Sequence, residues 1–249
     1  TVRYHALLRS TLLYRVHAQE AESGRVECKR FYVKVYRGEK GEDMRRALEG
    51  RSRQANGFAI PALLAYLPDL GALVLEEAQG TSLRNLVSAG DHTEAMLSHV
   101  GRAMASFHQG DIAGLPSHGL ADELALLERS KAFLVSTCPH LQARLESVFE
   151  ALEAGLQDVP PGPTHLALRP GPILVDGERL WLIDLDSLSA ADPVLDAAFF
   201  LANLASMRIR SKLDEETSRR LARLFADAYF AYVPSAWRAR LPLHYAGAL

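Results

Sequence analysis

Two early stretches, 11–17 (Thr-Leu-Leu-Tyr-Arg-Val-His) and 31–36 (Phe-Tyr-Val-Lys-Val-Tyr), are mostly apolar, rich in β-branched and aromatic residues, and flank a polar turn containing Ser23 and Gly24, with alternation clear in the second. Period-two alternation in β-branched and aromatic residues predicts an antiparallel strand pair. In the second stretch Phe31, Val33 and Val35 fall on one face and Tyr32, Lys34 and Tyr36 on the other, so Lys34 points away from the more apolar face. The segment 42–53 is strongly charged and places Met44, Ala47 and Leu48 at helical spacing, which predicts a short amphipathic helix against that sheet. Two further strands, 62–66 and 72–76, are predicted around the turn signal Pro68-Asp69-Leu70-Gly71.

After Gly80 the spacing changes to three and four. Residues 93–109, 120–135, 140–156, 193–207 and 214–232 all show it, most clearly in Leu221, Leu224, Phe225, Ala228 and Tyr229. One β-rich island interrupts the helices at 164–186, where Ile173-Leu174-Val175 and 180–183 bracket Asp176-Gly177, a hairpin signal. The expected architecture is α+β and two-lobed: a small antiparallel sheet with one helix in 1–79, a hinge at Gln79-Gly80, and a larger helical lobe with a β-hairpin in 80–249.

Composition narrows the classes of function. With 48% hydrophobic residues in a chain of 249, a substantial core can be buried. A formal net charge of −2 supplies no field for nucleic acid or an anionic membrane surface, so any partner has to be found by a local site. No apolar run is long and uninterrupted enough to span a bilayer, and no apolar leader with a cleavage site opens the sequence. Cys28 and Cys138, the only cysteines, have neither disulfide-framework nor zinc spacing, which favours a reducing cytoplasm. The sequence starts at Thr1 and stops in what resembles the middle of a helix at 244–249, as a piece of a longer chain would.

The chemistry is concentrated in His165-Leu-Ala-Leu-Arg-Pro-Gly-Pro-Ile-Leu-Val-Asp-Gly177 and in Leu182-Ile-Asp-Leu-Asp186. This arrangement resembles the catalytic loop and metal-binding segment of the aminoglycoside-phosphotransferase and choline-kinase family, which has a protein-kinase-like fold. That family carries His-Gly-Asp, four residues, Asn, an apolar strand, a turn, and Asp-Phe-Asp or similar. The resemblance covers nearly the whole chain. It implies that Lys34 is aimed at nucleotide phosphates and that a helix carboxylate, Glu42 in preference to Glu49, is its partner. It also implies that the segment holding Glu76 and Ala78 contacts adenine through its backbone, that His165 supports the loop, and that Asp184 and Asp186 bind metal. The implied cofactor is ATP or GTP with Mg²⁺.

Two substitutions break the family pattern: Ala167 stands where the proton-accepting Asp belongs, and Pro172 where the metal-binding Asn belongs. Alanine has no acceptor, and proline has neither a side-chain oxygen nor an N–H. Phosphoryl transfer depends on positioning and on neutralising charge with metal ions, and loss of a positioned general base alone costs a factor of roughly 10² to 10⁴, about 3–5 kcal/mol of barrier. The segment 4–10, where the phosphate-covering loop is expected, contains no glycine to bring backbone N–H groups close to phosphates. The expectation is therefore a kinase-like pseudoenzyme that binds a nucleotide, a small molecule or a regulatory protein partner. The alternative is an active phosphotransferase with a rearranged site in which Asp184 or Asp186 holds metal. Asp192 and Asp196 are expected to hold backbone amides at the start of the helix from Pro193, and the histidines other than His165 have no spacing that assigns them a role.

Overall fold

The computed structural model describes residues 3–5, 9–19, 24–49, 57–91, 94–166, 168–210 and 213–249, with the side chains of 3–5 and 210 outside that description. The first lobe contains β1 (Arg3–His5), β2 (Arg9–Gln19), β3 (Val26–Tyr36), α1 (Lys40–Leu48), β4 (Leu63–Leu67) and β5 (Ala72–Glu76). Its strands form one antiparallel sheet in the order β1-β2-β3-β5-β4. Both predicted strand pairs are present, and β2 and β3 extend further than the alternation shows. The turn at Ser23 and the end of the helix expected over 42–53 fall outside the described residues.

Register corrects the face assigned to Lys34. Residues directly paired across a ladder share a face, and Lys34 pairs with Leu73 while Tyr32 pairs with Leu75. Leu73, Leu75 and Tyr36 belong to the core, so the inward face is the one carrying tyrosines and lysine. Apolar count alone ranks the two faces of β3 in the opposite order, because the polar groups on the inward face meet partners from the other lobe.

The second lobe begins with β6 (Thr81–Ser82) and α2 (Leu83–Ala89), followed by α3 (Glu94–His108), α4 (Leu120–Thr137) and α5 (Gln142–Gly155). Then come β7 (Gly162–Thr164), β8 (Ile173–Asp176), β9 (Arg179–Leu182) and β10 (Ser189–Ala191), and finally α6 (Val194–Arg210), α7 (Glu215–Phe230) and α8 (Ser235–Ala248). The five helical windows of the sequence correspond to α3–α7. α2 is too short to stand out among the expected helices, although Leu83, Leu86 and Val87 have helical spacing, and its ends are fixed by caps: Ser82 Oγ accepts from the Asn85 amide at 3.3 Å and Gly90 turns out at φ +82°. The hairpin loop is Gly177-Glu178, one residue later than the Asp-Gly signal suggests, because Asp176 still pairs with Arg179.

One hydrophobic core runs through both lobes, from Tyr36 and Met44 by way of α3 to Phe200, Phe225 and Tyr229. Helices α3 and α7 approach closely because residue 101 is glycine, where a Cβ would lie 2.6 Å from the Phe225 carbonyl oxygen. The lobes also share backbone: Ala59 donates to Leu180 O at 2.7 Å and its carbonyl accepts from Leu182 N at 2.9 Å, tying the first lobe to the hairpin. Among the described residues no helix is long and apolar enough to cross a membrane.

Helix α8 is attached to the rest through Asp192. Arg240 donates to both carboxylate oxygens at 2.9 and 2.7 Å, His244 lies at 2.9 Å, and the Val194 amide donates at 3.0 Å, the helix-start contact expected from the sequence. Burial alone would raise the Asp192 pKa, but the hydrogen bonds from His244 and Arg240 outweigh it and hold the carboxyl well below the usual carboxylate range.

Two outcomes are expected. Gly80 has φ +110° and a Cβ there would lie 2.4 Å from Val175 O, so Gly80→Ala should lower stability in urea unfolding by about 2 kcal/mol or more. Because the folded-state pKa of Asp192 is depressed, its stabilisation is complete above the unfolded value of about 3.9 and is lost as pH falls towards the folded value. Unfolding free energies at about pH 6 and about pH 3 should therefore differ less in Asp192→Asn than in the parent chain.

Candidate functional site: a cleft closed by its own charges

The β2–β3 register pairs Arg9 with Tyr36 and Thr11 with Lys34. Arg9, Tyr36 and Lys34 therefore stand together on the inward face of the sheet. Facing them is the segment after β9, where the Ile183 amide bonds to Pro172 O at 3.0 Å and Asp184 takes a left-handed φ of +61°. Such a conformation is costly for a non-glycine residue and persists only where its surroundings impose it. Here it brings Asp184 and Asp186 to the same cations.

Lys34 Nζ lies 3.2 Å from Asp184 Oδ1 and 2.7 Å from Asp186 Oδ1. The Tyr36 hydroxyl donates to Asp186 Oδ1 at 2.5 Å, and Arg9 Nη1 pairs with Asp186 Oδ2 while lying 3.9 Å from Asp184. The Asp186 side chain is only 8% exposed, so these donors occupy both of its oxygens in a low-dielectric setting. Burial and the adjoining Asp186 carboxylate push the Tyr36 hydroxyl far up, which keeps it a donor. Burial favours the neutral form of Asp184, but the charge and hydrogen bond of Lys34, helped by Arg9, win and hold it low.

The loop beneath is kept in shape by a second carboxylate. The His165 amide donates to Asp196 Oδ2 at 2.6 Å, and its ring Nε2 meets the Ile183 carbonyl at 3.0 Å, so this nitrogen carries the proton. His108 Nε2 reaches the same Asp196 oxygen at 3.2 Å and its Nδ1 the Tyr229 hydroxyl at 2.8 Å. Asp196 thus anchors the loop rather than the start of α6, a correction to the helix-start role expected of it. Leu166, in the position of the family's glycine, has φ +60°. Ala167 lies outside the described residues. Leu168 and Pro172 are buried, and the loop's Pro170 carbonyl accepts from the Arg84 amide at 3.1 Å.

Glu42 does not pair with Lys34. It accepts from Arg45 at 2.9 and 2.8 Å and from Arg46 at 3.1 Å, and these contacts hold its carboxyl at about 2; Glu49 likewise pairs with Arg45 at 2.6 Å. The alternating charges on α1 satisfy one another, leaving Asp184 and Asp186 as the carboxylates for Lys34. Glu76 Oε2 accepts from the Ala62 amide at 3.2 Å, and Ala78 is half-buried in the connecting segment, next to Glu77, which Arg30 grips through two nitrogens at 2.7 Å each. The glycine-free stretch ahead of β2 includes residues 6–8, which are not described.

Arg9, Tyr36, His108 and Tyr229 carry much of this geometry, and sequence patterns assign none of them a site role, though they set Tyr36 on the face of Lys34 and Tyr229 among the periodic positions of its helix. The pairing of Arg9 with Tyr36 becomes visible only through strand register, and His108 only through the crossing of α3 and α7.

The family chemistry implies Mg²⁺, which asks for near-octahedral oxygen coordination at about 2.0–2.1 Å. The residues present do not fit it. Pro172 offers no side-chain oxygen, Asp186 is engaged by Lys34, Tyr36 and Arg9, and that leaves Asp184, whose Oδ1 already takes Lys34, as the one partly exposed carboxylate of the pair. A cavity of about 100 Å³ elsewhere, bordered by His118, Glu123, Asp158 and His244, includes none of the cleft residues in its lining.

The family profile of a phosphotransferase enzyme family (APH) matches residues 11–243. Among curated proteins none matches. Among solved structures, a choline kinase from Cryptosporidium parvum is 15% identical with a TM-score of 0.64, covering 100% of this chain and 79% of that one. Aminoglycoside phosphotransferase APH(3'')-Id from Streptomyces rimosus is 18% identical with a TM-score of 0.61, covering 93% and 90%. The amicoumacin kinase hAmiN, solved with AMP-PNP, Ca²⁺ and Ami, is 15% identical with a TM-score of 0.60, covering 98% and 76%. At these identities the likeness establishes a shared two-lobed, kinase-like fold, and the family profile, matched over nearly the whole sequence, establishes that the chain belongs to the APH phosphotransferase enzyme family.

Proposed function

We propose that this chain is a pseudoenzyme of the phosphotransferase family, which binds a nucleotide or small molecule in the interlobe cleft and acts through that binding or through a regulatory protein partner in the cytoplasm. The observation that carries this reading is the fate of the two carboxylates expected to bind metal: Lys34, Tyr36 and Arg9 engage them, beside a loop with Pro172 where the family pattern has its metal-binding Asn. The sequence adds Ala167 in the place of the proton-accepting Asp. Together these remove the base and the metal clamp on which phosphoryl transfer rests. The structural neighbour solved with AMP-PNP and Ca²⁺ supports nucleotide binding as the inherited part of the function.

A second reading, an active ATP- or GTP-dependent small-molecule phosphotransferase with a rearranged site, draws on Asp184, whose side chain is 30% exposed and whose Oδ1 alone takes Lys34. Phosphate transfer separates the two. With ATP or GTP and a panel of amino-alcohols, sugars and aminoglycosides, the parent chain is expected to transfer no phosphate above background. Turnover that Asp184→Ala abolishes would establish the second reading. In Ala167→Asp/Pro172→Asn the base and the metal ligand return, and a gain on the order of 10² or more is expected if the rest of the cleft is competent.

A further inference from the structure

We infer that the cleft takes a phosphate-bearing anion directly on Lys34 and Arg9, with no divalent cation between ligand and protein. This deepens the pseudoenzyme reading and rests on it.

The argument begins with charge. In a phosphoryl-transfer site, metal ions offset both the acidic side chains and the negative charge of the phosphates. In this cleft two side-chain cations already face two carboxylates, at 2.7 and 3.2 Å for Lys34 and through Nη1 for Arg9. A divalent ion seeking the same oxygens would have to displace the ammonium and the guanidinium, and it would still lack the oxygen that an Asn at 172 would provide. The interlobe cluster therefore needs no metal to be neutral.

Donor geometry then points outward. The Lys34 ammonium has three N–H groups and uses two on the aspartates. Arg9 has five, and among the described residues only Nη1 has a partner, while the side chain is 32% exposed. Its free fork suits bidentate capture of a phosphate, which a lysine alone cannot offer. A third cation stands beside the loop: exposed Arg84 lays its guanidinium against Gly171, within 3.2–3.5 Å of where a Cβ would be. An anion between the lobes thus meets unused donors on Arg9 and Lys34, with Asp186 covered and the charge of the partly exposed Asp184 offset by Lys34.

The test is calorimetric titration of the purified chain with inorganic tripolyphosphate, ATP and GTP, each in EDTA and in Mg²⁺. Binding in EDTA, unchanged or weakened by Mg²⁺, is the expected result. Arg9→Gln should lower affinity about tenfold or more, the scale of one charge-assisted contact; because Arg9 also partners the buried Asp186, a thermal melt of the same variant separates lost affinity from lost fold. Tripolyphosphate binding as well as ATP assigns recognition to the phosphates alone, and tighter ATP or GTP binding adds the base; both support the inference. Binding that strengthens tenfold or more with Mg²⁺, a rise in melting temperature with Mg²⁺ alone that Asp184→Asn removes, or no binding of any of the three probes would overturn it. Metal-dependent binding without phosphate transfer would sink this inference while leaving the loss of catalysis intact, whereas measured transfer would sink the reading beneath it.

Discussion

The carboxylate of Asp186 is the point on which this architecture closes. It is buried, comes from the helical lobe, and receives three donors from the sheet lobe: Lys34, Tyr36 and Arg9. A buried ion pair is weak evidence for net stability, since desolvation offsets the attraction, but removing one partner typically costs about 3–5 kcal/mol by stranding the other. The cluster therefore matters less for how stable the fold is than for which arrangement of the lobes it holds.

Much of the fold was legible because it rests on periodicity. Alternation located the strands of the sheet and three- and four-residue spacing located α3 to α7. The short α2 is held by Ser82 and Gly90 at its ends, and α8 by the grip of Arg240 and His244 on Asp192; spacing records neither set of contacts. For the site, sequence could point to Lys34, His165, Asp184 and Asp186 because each sits in a recognisable local pattern. For Glu42 the sequence carries the self-paired reading as well, since Glu42, Arg46, Glu49 and Arg53 form one helical face of alternating sign, and the structure takes that reading. The pairing of Arg9 with Tyr36 was hidden: they are 27 residues apart in the chain but adjacent across the ladder, and only register shows it.

The loop that should perform chemistry retains its scaffolding. Asp196 still holds the His165 amide, His108 and Tyr229 still back Asp196, and the left-handed turns at Leu166 and Asp184 are kept despite side chains that disfavour them. Maintaining that shape has a clear packing reason. Leu168 and Ile173, on either side of the loop, are both wholly buried, and the Pro172 carbonyl anchors Ile183. The loop is thus part of the core's wall whether or not it reacts.

The two backbone bonds between Ala59 and the hairpin bear on how the halves can separate. The bridge is an isolated one, outside the ladders of both sheets, so opening that side breaks two backbone hydrogen bonds. Arg9 lies on β2, with β3 between it and β5, and its ion pairs with Asp184 and Asp186 tie the two lobes at a second place.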